Sequence, residues 1–156
     1  MKILLIEDDE EKAGKLEEAL SLQFSNVSFV RARSLNSGLR ALISEFKSID
    51  LLLLDMSMTS YDATDQDPTG GVPEPFAGKE ILAQMQLRAI YVPTIVVTMF
   101  DSFCEGAKKV SLDQLTEELK ERFEPIFRGV VYYNSRQEGW RSALVKLVQQ
   151  SLGKNS

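Results

Sequence analysis

Glu7, Asp8 and Asp9 follow directly on the apolar run Ile3-Leu4-Leu5-Ile6, and Asp55 follows directly on Leu51-Leu52-Leu53-Leu54. Apolar runs of this length, alternating with helical patterns, read as buried parallel strands. Each carboxylate therefore stands at the carboxyl end of a strand, where open α/β sheets hold their ligands. Acids gathered there repel one another by about 4 kcal/mol per close pair at an effective dielectric near 20, unless a cation sits among them. The pattern predicts a divalent metal beside a nucleophilic Asp.

The elements that must position these acids can be read from the spacing. Residues 2–6 make the first strand. Ala13, Leu16, Ala19, Leu20 and Phe24 recur at helical spacing over Asp9 to Phe24, with acids early in the helix. Val27 to Arg31 reads as a short strand, and Ser34 as the N-cap of a helix carrying Leu35, Leu39, Leu42, Ile43 and Phe46 on one face. The third strand spans Asp50 to Asp55. The segment from Met56 to Pro75, with three Pro, two adjacent Gly and three Asp, is too polar and too rich in breakers for regular structure.

A third helix is expected from Ala77 to about Arg88, with Ile81, Leu82 and Met85 inward, and Pro93 introduces the strand Thr94 to Thr98. The chain then reads as irregular to Gly106. Ser111-Leu112-Asp113-Gln114 is a capping-box pattern opening a helix with Leu112, Leu115, Leu119 and Phe123 in register, and Pro125 near its end. Val130 to Tyr133 makes the fifth strand. Ser135-Arg136-Gln137-Glu138 reads as a second capping box, leading into Trp140, Leu144, Leu147 and Val148. Five strands alternating with five helices imply right-handed crossovers and a doubly wound five-stranded parallel sheet with helices on both faces, an α/β fold. The expected organisation is a single domain over residues 1–152, with a long loop at 56–76, an extended segment at 99–128 and a polar tail at 153–156.

Composition narrows the function. With 156 residues the chain can bury a continuous core, and its single Cys excludes an internal disulfide framework. The absence of His excludes imidazole triads, His-ligated metals and phosphohistidine on this chain, so that if phosphoryl chemistry happens here the donor's histidine must belong to another molecule. The first residues are too short for a signal peptide, and no apolar stretch reaches the length of a membrane span. We therefore expect a reduced, cytoplasmic protein with no membrane contact. A net charge of −5 with scattered basic residues disfavours direct binding to nucleic acid.

These residues carry a resemblance. The chain resembles, over nearly its whole length, the receiver domain of two-component response regulators, whose flavodoxin-like strand order is 2-1-3-4-5. The resemblance implies that Glu7 and Asp8 are the acidic pair holding Mg²⁺ (or Mn²⁺), with Asp9 just beyond. It makes Asp55 the phosphoacceptor and a metal ligand, and the backbone carbonyl of Ser57 a further ligand. Thr98 becomes the hydroxyl that binds the phosphoryl group and couples it to the next loop. It implies no enzyme in the ordinary sense, only self-phosphorylation and self-dephosphorylation at Asp55. The implied partners are a histidine kinase or phosphotransfer protein and a downstream protein. The implied signalling surface is built from the fourth helix, fifth strand and fifth helix, a face that also allows a homodimer.

One position departs from the pattern. The family's Lys at the end of the fifth strand falls on Tyr133, and the Pro that usually follows it falls on Asn134. A phenol donates a hydrogen bond but no charge, and losing a charge-assisted bond to the phosphoryl oxygens costs about 1.5–3 kcal/mol. Arg136 or Lys79 could stand in for it. Met99 stands where the family is usually small, and the two lengthened segments border the site.

These departures keep open an alternative, a phosphorylation-independent pseudo-receiver acting as an interaction module. A more distant one is a phosphatase similar to the haloacid-dehalogenase superfamily, on Asp55-Met56-Ser57-Met58-Thr59, although the second acid that family needs as general acid/base is Ser57 here. Ordinary structural readings also stand beside the chemical ones. Asp8 or Asp9 can cap the first helix, Thr98 can be a β-branched strand residue, Tyr133 a packed aromatic, and Cys104 a small semi-buried residue.

Overall fold

The computed structural model describes residues 1–71 and 73–152. In chain order the elements are β1 (Lys2–Ile6), α1 (Glu10–Gln23), β2 (Ser28–Ala32), α2 (Leu35–Glu45) with a 3₁₀ turn at Phe46–Ser48, and β3 (Leu51–Leu54). Next come β4 (Met58–Thr59), β5 (Pro73–Glu74), α3 (Ala77–Leu87), β6 (Thr94–Thr98) and β7 (Ser102–Glu105). The chain closes with β8 (Lys108–Ser111), α4 (Leu112–Phe123), β9 (Phe127–Tyr132) and α5 (Gly139–Leu152). The main sheet has the order β2-β1-β3-β6-β9 with every neighbouring pair parallel. Counting only its five strands, this is the expected 2-1-3-4-5 order.

The leucine runs show why both faces of the sheet must be covered. Side chains alternate across a strand, so Leu4, Ile6, Leu52, Leu54 and Val96 pack toward Leu42, Ile81, Leu82, Met85, Leu115 and Leu119 of α2, α3 and α4. Ile3, Leu5, Leu51, Leu53, Ile95 and Val97 pack toward Leu16, Leu20, Trp140, Leu144 and Val148 of α1 and α5. Ser34 caps α2 and Ser111 caps α4, each accepting from the backbone N–H three residues on.

Several expectations are corrected. The breaker-rich segment after Asp55 carries a short antiparallel ladder, Met58 opposite Glu74 and Thr59 opposite Pro73. The segment after Thr98 is a hairpin in which Ser102 to Glu105 pair with Ser111 to Lys108. Gly106 turns it with φ of 64°, the left-handed conformation a two-residue connection takes at its first position. The hairpin holds because Phe103 is buried, its ring 5.8 Å from Phe76 and 6.2 Å from Phe100. Cys104, on the opposite side of the strand, is exposed rather than semi-buried.

The last strand starts at Phe127, three residues earlier than expected, with a register irregularity between its pairings to Thr94 and Ile95. Ser135 does not open the last helix. It lies in a turn where Asn134 Oδ1 accepts from the Arg136 N–H at 2.9 Å, and the helix begins at Gly139. Ile43, expected inward, is 41% exposed. The expected tail at 153–156 lies outside the described residues.

Candidate functional site

The parallel register of β1 and β3 pairs Ile6 with Leu54, which brings the residues that follow them side by side. The Asp55 N–H donates to the Ile6 carbonyl at 3.0 Å, and the Glu7 N–H to the Ala32 carbonyl at 2.9 Å, so both acids leave the sheet with their backbones held. Asp9 then ends the acidic run as the N-cap of α1, accepting from the Lys12 N–H at 3.1 Å. Glu7 Oε2 in turn accepts from the Asp9 N–H at 3.1 Å. Of the two ordinary capping candidates, Asp9 takes that role and leaves Asp8 free of it.

Oxygen atoms of Glu7, Asp8 and Asp55 all lie within 4.8 Å of one another. Glu7 and Asp55 are 3% and 5% exposed, whereas Asp8 faces outward. Asp8 lines a cleft of about 420 Å³ together with Arg33, Thr59, Asp62, Ala63 and Thr69. Asp55 Oδ1 accepts from the Met56 N–H at 2.8 Å, and among the described residues no donor is bonded to Oδ2. The start of α3 presses on this turn. A Cβ on Gly78 would meet the Asp55 carbonyl oxygen at 2.6 Å and Met56 Cα at 3.0 Å, and the Gly78 N–H donates to the Met56 carbonyl at 2.9 Å.

The cluster also contains a residue that sequence reasoning missed. Lys12 is 1% exposed, with Nζ 2.7 Å from Glu7 Oε1, 3.4 Å from Asp55 Oδ1 and 2.7 Å from the Val97 carbonyl oxygen. Its signal was present. Lys12 heads the buried stripe Lys12, Leu16, Ala19, Leu20 of α1, where a charged residue has no ordinary reason to be.

Thr98 ends β6, fully buried, and its Oγ1 accepts from the Phe100 N–H at 3.1 Å. Its carbonyl accepts from the Tyr133 N–H at 2.8 Å. Tyr133 is 3% exposed and stacks on Trp140, ring centroids 4.8 Å apart, within the core under α1 and α5. It is a packed aromatic. Ser57 lies half-buried in the bend after Asp55, and Met99 is 38% exposed. Neither Lys79 nor Arg136 pairs with the acids. Lys79 pairs with Glu118 at 3.0 Å, and Arg136 is exposed on its turn.

Burial raises the Glu7 carboxyl above its ordinary value, the Lys12 ammonium pulls it back, and burial is the larger influence. Asp8 is raised by burial and then by the charge of Asp55. Burial also raises the Tyr133 phenol, followed by Glu11 and Asp9. The donor set fits a hard divalent cation. It offers oxygen ligands only, from three acids, and one ammonium against three carboxylates leaves the cluster short of positive charge.

The lengthened segment after Asp55 is fastened to α2. Asp62 Oδ1 accepts from Ser34 Oγ at 2.7 Å and Ser37 Oγ at 2.8 Å, and the Asn36 N–H donates to the Ser60 carbonyl at 3.0 Å. These hydrogen bonds hold the Asp62 carboxyl below its ordinary value.

No protein-family model matches the chain. Its fold is that of the response regulator receiver domains. A response regulator receiver domain protein from Clostridium thermocellum superposes with a TM-score of 0.65 at 18% identity, covering 99% of this chain and 95% of that one. The CheX-CheY-BeF3-Mg²⁺ complex from Borrelia burgdorferi gives a TM-score of 0.68 at 12% identity, covering 96% and 87%. In sequence, the chain is 29% identical over 150 residues to the Detocs response regulatory protein DtcB of Enterobacter cloacae (strain JD6301), covering 96% of this chain and 99% of that protein. Among the described residues, no helix is long and apolar enough to cross a membrane.

Proposed function

We propose that this chain accepts a phosphoryl group on Asp55 and signals through protein contact. The observation that carries this reading is the meeting of Glu7, Asp8 and Asp55, oxygens within 4.8 Å, at the carboxyl ends of β1 and β3. A lone pair of Asp55 Oδ2 forms the new P–O bond as the donor's bond to phosphorus breaks, the electron pair leaving with the imidazole nitrogen of a partner's phosphohistidine or with the acetate of acetyl phosphate. The partner must bring that histidine, because this chain has none. A bound Mg²⁺ or Mn²⁺ would neutralise the phosphoryl oxygens, held by Glu7, Asp8, Asp55 and the Ser57 backbone carbonyl.

Thr98 then turns its hydroxyl to a phosphoryl oxygen. Because Oγ1 also receives the Phe100 N–H, that rotation is felt by the β7–β8 hairpin. The altered surface is the face of α4, β9 and α5, where Tyr132 stands 46% exposed, and it meets a downstream protein or a second copy of the chain. Membership of a kinase-driven relay and a cytoplasmic site of action belong to this same reading.

The test is intact mass after incubation with Mg²⁺ and acetyl phosphate. One phosphoryl adduct on the wild type, absent from Asp55→Asn, is expected; no adduct on a folded wild type that also fails to bind Mg²⁺ overturns the reading. The pseudo-receiver alternative is favoured by one observation, the Tyr133 ring packed on Trp140 at the position of the family's Lys. An Asp55→Asn chain with full biological activity would support it.

A further inference from the structure

We propose that Lys12 is the cation that faces the phosphoryl group on Asp55, delivered from the first turn of α1 instead of from the end of β9. The inference rests on the phosphoacceptor reading above and adds a residue to it.

Among the described residues, the other basic side chains near the site, Arg33 of the Asp8 cleft included, are paired with other acids or exposed. Lys79 pairs with Glu118 and sits 4.7 Å from the centroid of the Phe76 ring. Arg31 pairs with Glu17 at 2.6 Å, and Arg33 pairs with Glu10. Arg136 is exposed. Among the described residues, Lys12 is the basic residue within ion-pair distance of Asp55. Its placement also accounts for Tyr133. The strand-end position is filled by a ring packed on Trp140, on the same side of the sheet as α1, so the charge enters from the helix while the aromatic body closes the end of the strand.

The geometry of the ammonium suits the task. The ammonium has three oxygen neighbours: it donates to the Val97 carbonyl at 2.7 Å, pairs with Glu7 Oε1 at 2.7 Å, and stands 3.4 Å from Asp55 Oδ1. The tight pair, Glu7 and the Val97 carbonyl, anchors Nζ. The loose contact lets the remaining N–H turn to an oxygen of a phosphoryl group carried on Oδ2 without releasing either anchor. One anchor is the residue before Thr98, so the cation and the hydroxyl that would share the phosphoryl oxygens are supported by one strand end.

Two measurements on the full chain test this. The first is the phosphoryl fraction by intact mass for wild type, Lys12→Met and Lys12→Arg, with circular dichroism to establish folding. Loss of a charge-assisted contact predicts at least a tenfold lower fraction for Lys12→Met, with Lys12→Arg recovering part of it. The second keeps the wild-type side chain. Its ammonium ¹⁵N resonance, identified by its loss in Lys12→Arg, should shift when Mg²⁺ and beryllofluoride, a phosphoryl mimic, bind at Asp55. Mg²⁺ alone also moves a neighbouring nucleus, so the readout is the further shift, with slowed ammonium hydrogen exchange, on adding beryllofluoride to the Mg²⁺-loaded protein; a lysine held only by Glu7 and Val97 gains no such protection.

A folded Lys12→Met chain phosphorylated to the wild-type level overturns the inference and leaves the phosphoacceptor reading intact. If Lys12→Met does not fold, the resonance decides: the further shift with slowed exchange supports the inference, and bound beryllofluoride without both overturns it. A wild type that takes neither phosphoryl group nor beryllofluoride overturns the phosphoacceptor reading and the inference with it.

Discussion

Lys12 Nζ donates to the Val97 carbonyl oxygen at 2.7 Å, across 85 residues of chain, joining the first turn of α1 to the strand end that carries Thr98. The same nitrogen is 2.7 Å from Glu7 Oε1, both side chains 1% exposed. Breaking a buried pair strands its partner, at a cost of about 3–5 kcal/mol, whereas replacing both members by neutral groups is far milder. Urea denaturation should therefore find Lys12→Met destabilised on that scale and Lys12→Met/Glu7→Gln closer to wild type. Additive losses in the double variant would mean the two groups do not act as a pair.

Divalent metal should stabilise the fold through the same cluster. At a free concentration of 100 times Kd, binding adds about 2.7 kcal/mol, which at about 2–4 °C per kcal/mol for a domain of this size raises Tm by about 5–10 °C. Thermal melts in Mg²⁺ and in EDTA check this. Asp8→Asn, a change at an outward-facing ligand, should shrink the difference without lowering Tm in EDTA.

Tyr133 can be separated from the chemistry. Its ring packs on Trp140, so Tyr133→Phe keeps the stack and should leave phosphoryl uptake within about twofold. Tyr133→Ala empties a buried aromatic site and should cost about 3–5 kcal/mol in equilibrium unfolding. A large loss of uptake in Tyr133→Phe would show that the hydroxyl takes part.

Gly78 sets how near α3 comes to the acceptor turn. With the added Cβ 2.6 Å from the Asp55 carbonyl oxygen, backbone must shift, and Gly78→Ala should lose about 1–3 kcal/mol, the usual range for overpacking. Urea denaturation of the variant reads that loss, and an unchanged midpoint would contradict the close approach.

Asp62 gives a pH prediction. Its carboxyl is lowered from 3.8, first by the Ser34 hydroxyl, with Ser37 adding to it. A lowered folded value means that its contribution to stability is fully present above the unfolded value and is lost as pH falls through the folded one. The ¹³C titration midpoint of the Asp62 carboxyl should lie below 3.8 and move back up in Ser34→Ala. A midpoint at 3.8 in both would show that the loop is not fastened to α2 there.

The main sheet was legible because its signals are local and strong. Leu51 to Leu54, four apolar residues bounded by Asp50 and Asp55, read as a strand covered on both faces, and Ser34 and Ser111 announce their helices by hydrogen bonds spanning three residues. Glu7, Asp8 and Asp55 could each be placed at the carboxyl end of a strand, and the resemblance to receiver domains, whose order sets the first strand beside the third, implied their meeting. The β7–β8 hairpin was not legible, because one of its faces is mostly polar and, among the described residues, Phe103 and Val110 are those of the hairpin that pack against the core. Ser135 misled because Asn134 takes the turn's amide first.

By itself the sequence determined which carboxylates would stand at strand ends and what kind of sheet would hold them, since apolar period and strand ends are properties of short stretches of chain. Tertiary structure alone decided where the site's positive charge comes from. Whether a lysine on a helix reaches solvent or the acids depends on the packing of α1 against β1 and β6, and on a backbone carbonyl far away in the chain waiting to receive it.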